Sequence, residues 1–124
     1  MSEKKPMLGA GDVTITLAGE EFVLKPSLHA MMTISRTTGG IRGAIDGVAR
    51  MEMDIIVRVV GLGIGQQQAR RFKNDLAEVI YESGLTDATG GVIAKCIEYL
   101  HVLANGGKPV NTEEVAEDDS THPA

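Results

Sequence analysis

A chain of 124 residues with 43% hydrophobic residues is long enough for one domain with its own core. Aromatic residues make up 3% and tryptophan is absent, so the core must be built from Ile, Val, Leu, Met and Ala, and a domain of this size gains from oligomerisation or a partner. Of 17 acidic residues, five (Glu113, Glu114, Glu117, Asp118 and Asp119) lie near the end, so residues 1–112 carry 12 acids against 12 bases, a balance that leaves no electrostatic footprint for nucleic acid.

Residues 1–11 read as a flexible leader of charged, Gly and Pro residues. From Asp12 to Leu17 apolar and polar β-branched residues alternate; Ala18-Gly19-Glu20 offers a turn, and Glu21 to Lys25 returns. This predicts a β-hairpin with Val13, Ile15 and Leu17 on one face. Two strands alone are marginal and must pack on helices or pair with another chain. Ser27 is placed to cap a helix carrying Leu28, Met31, Met32 and Ser35, which Gly39-Gly40 stops. Ile41, Ala44, Ile45, Val48 and Ala49 form a second short stripe, weakened by about 1 kcal/mol at each of Gly43 and Gly47.

The run 53–62 fits either a helix capped by Asp54 or a buried strand; Met53, Ile56, Val60 and Ile64, about one turn apart, favour the helix. Gln66 to Ser83 reads as one amphipathic helix, with Ala69, Phe72, Leu76, Val79 and Ile80 inward and Gly84 after its end. Asp87 or Thr89 starts a final helix bearing Ile93, Cys96, Ile97, Leu100 and Leu103, ended by Asn105-Gly106-Gly107 and Pro109. Residues 108–124 have almost nothing to bury and read as an acidic disordered tail. The organisation expected is a single α+β domain over residues 12–107, mostly α, with an N-terminal β-hairpin packed on a bundle of four to five short helices.

Each candidate for chemistry has a simpler structural explanation. Gly61-Leu-Gly-Ile-Gly65-Gln66 lacks the third glycine of a dinucleotide-binding turn, and no Gly-Lys-Ser/Thr follows. A Gly-rich hinge between helices accounts for it. His29, His101 and His122 have no ligand neighbours at metal spacing. Cys96, the only cysteine, sits on an apolar stripe as a small core residue, and the pair Cys96 and His101 falls on different helix faces. Asp46, Asp54 and Asp75 suit solvated faces and caps. Arg70, Arg71 and Lys73 are expected to pair with Asp75, Glu78 and Glu82 along their own helix. No catalytic residue, cofactor or metal site is expected. One cysteine, no apolar signal core at the start and no run of membrane-spanning length point to the reducing cytosol; the most apolar run, Ile55 to Ile64, is broken by Arg58 and by glycines. Six methionines are present, and Met31, Met32, Met51 and Met53 cluster around the first helix and the start of the third; methionine suits variable apolar partners.

The stretch Gly11-Asp-Val-Thr-Ile-Thr-Leu-Ala-Gly-Glu-Glu-Phe-Val-Leu-Lys-Pro-Ser-Leu28 is a hairpin leading through Leu-x-Pro-Ser-Leu into a helix. With the Gly39-Gly40 break, the Asp54-to-Gly65 segment, the helix ending Glu82-Ser-Gly-Leu85 and the final Gly106-Gly107, it resembles the tail assembly chaperone family of gene transfer agents and tailed bacteriophages. The resemblance spans about residues 11–107 and is carried by patterns of apolar residues and glycines. This chain departs from it in being richer in Met and poorer in Ala. The resemblance implies a non-enzymatic protein that binds the tape measure protein during tail morphogenesis, with tail tube subunits as a second partner and homo-oligomers in reach. It implies action in the cytoplasm of the bacterial host and absence from the finished particle. Tape measure proteins present long apolar helices, so a helix-in-groove contact is the mode implied, with Leu28, Met31, Met32, Met51 and Met53 as contact residues. Two alternatives remain: a structural tail component of the virion, which would need more strands than one hairpin, and a small helical regulator reading nucleic acid around Gly61–Arg71, which the neutral body opposes.

Overall fold

The computed structural model describes residues 9–86 and 91–110, the side chain of Asn74 excepted. Most of the expected leader, the proposed helix starts Asp87 and Thr89, the acidic part of the tail and His122 lie outside the described residues. The described chain is α+β and mostly α, with strands β1 (Val13–Leu17) and β2 (Glu20–Leu24) followed by helices α1 (Leu28–Thr38), α2 (Ile41–Ala49), α3 (Met53–Ile64), α4 (Gln66–Arg70), α5 (Leu76–Ser83) and α6 (Gly91–Ala104).

The strands pair antiparallel with Val13 opposite Leu24, Ile15 opposite Phe22 and Leu17 opposite Glu20. Ala18 and Gly19 both have left-handed backbone, at φ 54° and 77°, which makes a two-residue turn of the mirror-image kind that matches strand twist. Val13, Ile15, Leu17, Phe22 and Leu24 share one face and are buried. That face meets α3, α5 and α6.

Ser27 caps α1, its hydroxyl accepting from the Ala30 amide at 3.0 Å. Gly39 closes the helix in left-handed conformation, and the Gly40 amide reaches back to the Ser35 carbonyl at 2.8 Å. The segment 53–62 is helical. Its N-cap is Glu52, and Asp54 lies within the first turn as an acid near the helix start rather than as the cap. Three interior glycines of α2 and α3 are close-approach positions: a Cβ on Gly43 would collide with the Thr38 carbonyl at the end of α1. A Cβ on Gly47 would collide with Ile55, and one on Gly63 would meet Leu24 Cδ2 at 2.6 Å. The Gly63 carbonyl accepts from the Lys25 amide at 2.9 Å, tying α3 to the end of β2.

The expected single helix over 66–83 is two helices joined by a short 3-10 turn at Lys73–Asp75, with Lys73 left-handed at φ 54°. The break turns Phe72 onto the hairpin, where its ring meets Phe22 edge-on at 5.5 Å between centroids. Of the basic cluster, Arg71 pairs elsewhere than expected. Arg71 reaches across to both carboxylate oxygens of Glu20 on β2, each at 2.9 Å, and lies over the Phe22 ring. This contact holds the Glu20 carboxyl below its usual range, through the hydrogen bond first, and raises Arg71.

α6 runs through the centre of the helical side. Val92, Cys96, Tyr99, Leu100, Val102 and Leu103 are buried. Ile93 and Ile97, expected inward, are only partly covered. Tyr99, absent from the expected stripe, is fully buried and donates to the Lys25 carbonyl at 2.7 Å.

Candidate partner-binding surface

The face that α1 buries is set by Ala30 and Ile34, both fully enclosed. Helical geometry places Leu28 and Met32, one turn apart, on the opposite side. The expected stripe of Leu28, Met31, Met32 and Ser35 is therefore divided: Met31 packs partly against the core, while Leu28 is 74% exposed and Met32 49%.

Met53 opens α3 and is partly buried on the core, whereas Met51, in the connection from α2, is 50% exposed. α1, α2 and α3 pack on one another, so the five candidate residues belong to one three-helix unit. Three of them project from it and two anchor into it.

The backbone at Met51 is informative. The Glu52 amide donates to the Gly47 carbonyl and the Met51 amide to the Val48 carbonyl, both at 2.9 Å. This is the same helix-ending motif that Gly39 forms after α1, but its left-handed position, φ 61°, is filled by methionine. A side chain there costs roughly 1 kcal/mol relative to glycine. Met51 is half covered and half exposed, so burial offsets only part of that cost. Ala18 and Lys73 share this left-handed backbone; Met51 is the one of the three that is large, apolar and half-exposed, and such an outlier motivates a functional hypothesis.

The groups considered for chemistry are placed as follows. Burial pushes the Cys96 thiol up to about 12, so it is protonated and shielded at neutral pH. His29 and His101 are exposed. Asp46, Asp54 and Asp75 are exposed as well. Among the described residues no three His, Cys, Asp or Glu side chains converge where a metal ion would sit. No described helix is long and apolar enough to cross a membrane. In the segment Gly61–Gly65, Gly63 is the packing contact with Leu24 and Gly65 the break between α3 and α4, at φ 92°. α4 has five residues and buries none of them.

No family model, curated protein or solved structure matches the chain.

Two apolar residues outside the expected set are also exposed, Tyr81 at 68% and Val110 at 46%. Neither shares an element with the α1–α3 unit. The left-handed backbone of Met51 has one sequence signal: Arg50-Met51-Glu52 follows a helix with no glycine to end it.

Proposed function

We propose that the chain is a tail assembly chaperone of a bacteriophage, prophage or gene transfer agent, a non-enzymatic protein that holds the tape measure protein during tail morphogenesis. The observation that carries this reading is the exposed apolar set Leu28, Met32 and Met51 on one three-helix unit, with Met51 kept where glycine would stabilise the fold. Methionine and leucine side chains adapt to different apolar helices at little cost in shape. A long amphipathic helix presents apolar residues at one-turn spacing, which matches Leu28 and Met32. Met31 and Met53, packed from below, give this surface room to adjust. The hairpin and helix pattern from Gly11 to Gly107, described above, supports the same assignment. The chaperone acts in the host cytoplasm, before particles are complete.

Co-expression with the tape measure protein encoded in the same gene cluster tests the reading. The two proteins are expected to co-purify at low salt, and the tape measure protein to stay soluble only in company. Separate elution at low salt overturns the proposal. Abundant chain in purified particles favours a structural tail component instead.

A further inference from the structure

β2 has an edge that the fold leaves open. Leu17 and Glu20 flank the two-residue turn and form a hydrogen-bonded pair, so alternation makes Thr16–Glu21 and Thr14–Val23 the non-hydrogen-bonded pairs. The amide and carbonyl of Glu21 and of Val23 therefore point away from β1. The next outward residue confirms the phase: the Lys25 amide donates to the Gly63 carbonyl and the Lys25 carbonyl accepts from Tyr99. Among the described residues, no such partner meets Glu21 or Val23. Beside this edge lies a cleft of about 640 Å³, walled by Ile64, by Gln66, Gln67 and Gln68 at the start of α4, and by Lys25 and Arg71, whose charges are paired with Asp12 and Glu20.

We propose that this edge takes up an extended, positively charged segment of a partner protein as a third strand. Four unpaired backbone groups in a row are a template for strand addition. The α3 contact at Lys25 and the turn at Ala18-Gly19 bound the template, so it seats about three partner residues. Its chemistry selects them. The partner residue opposite Glu21 faces a carboxylate with no ion-pair partner among the described residues, which calls for Lys or Arg. The residue opposite half-buried Val23 lies on the same outer face and suits a β-branched side chain. The one between points inward toward Ile64 and suits an apolar side chain. In an antiparallel partner the order is β-branched, apolar, basic. This surface is separate from Leu28, Met32 and Met51, and the inference stands or falls apart from the chaperone reading.

The test uses the isotope-labelled full chain and the capped peptide Ac-Thr-Thr-Val-Leu-Lys-Thr-Thr-NH2, followed by amide NMR. The peptide is expected to shift the Glu21 and Val23 amides saturably and to slow their exchange about tenfold, leaving Met32 and Met51 unmoved. Replacing its Lys by Glu should weaken binding about fivefold. Val23→Pro removes an outward amide that the hairpin does not use and should abolish binding. Should that variant not fold, Glu21→Lys takes its place and should reverse the preference between the two peptides. Unmoved Glu21 and Val23 amides, undiminished binding to folded Val23→Pro, or indifference of Glu21→Lys to peptide charge overturns the proposal. Protection of the two amides that rises with protein concentration alone assigns the edge to a second copy and overturns it too.

Discussion

At the scale of single residues, Tyr99 joins α6 to the end of β2. Its ring fills the centre of α6, and its hydroxyl satisfies the Lys25 carbonyl at the point where β2 leaves the sheet. Burial, and then the charge of Asp12, raise its ionisation. Tyr99→Phe keeps the packing and removes the partner of a part-buried carbonyl, so it should destabilise by about 1 kcal/mol in urea unfolding. Cys96, one turn earlier, makes stability depend on alkaline pH. Its thiol ionises near 12 when folded against a reference of 9.0. Below 9 both states keep the proton and the contribution is whole. Between 9 and 12 the unfolded chain sheds a proton that the folded chain retains, so stability falls as pH rises. Tyr99, shifted in the same direction, extends that fall. The unfolding midpoint should therefore drop from pH 9 to 11, and Cys96→Ala, less stable at neutral pH, should show a shallower slope; parallel slopes would contradict the assignment.

Between elements, the packing depends on the absence of side chains at Gly43, Gly47 and Gly63 among others. Gly63 lets α3 lie against Leu24, and Gly63→Ala should cost about 1–3 kcal/mol, measured by thermal or urea unfolding, because the neighbour is part of a strand and cannot retreat. Most elements were legible from the sequence. Alternation gave the hairpin and its inner face, Ser27 and Gly39 bounded α1, and one-turn spacing favoured a helix over a strand at 53–62. The break within 66–83 was not legible. Its apolar positions fit one helix, and only the pull of Phe22 on Phe72 and of Glu20 on Arg71, contacts about 50 residues apart in sequence, makes two helices the better solution. The inner face of α1 was not legible for a similar reason. Spacing identifies a stripe but not which edge of it faces the core, and small Ala30, which α1 buries fully, gives no signal in the sequence. Of the candidate surface, the residue types were legible; which of them project, and the left-handed backbone of Met51, required tertiary structure.

For the whole molecule, the claim is that stability has been given up locally to keep an apolar surface open. Folding and binding then respond in opposite directions to one substitution. Met51→Gly relieves the left-handed strain and removes an exposed apolar side chain, so it should raise the unfolding free energy by about 1 kcal/mol. Leu28→Ser, at a position that buries little, should leave stability within about 0.5 kcal/mol, and Met32→Ser, at a half-covered one, should cost about 1 kcal/mol. If these residues are the contact surface, each of the three changes should weaken capture of the tape measure protein about tenfold or more. The most direct measurement pairs a urea unfolding curve with a calorimetric titration of the tape measure protein for Met51→Gly. The account predicts a chain that is more stable and binds less; a chain that is more stable and binds equally well would contradict it.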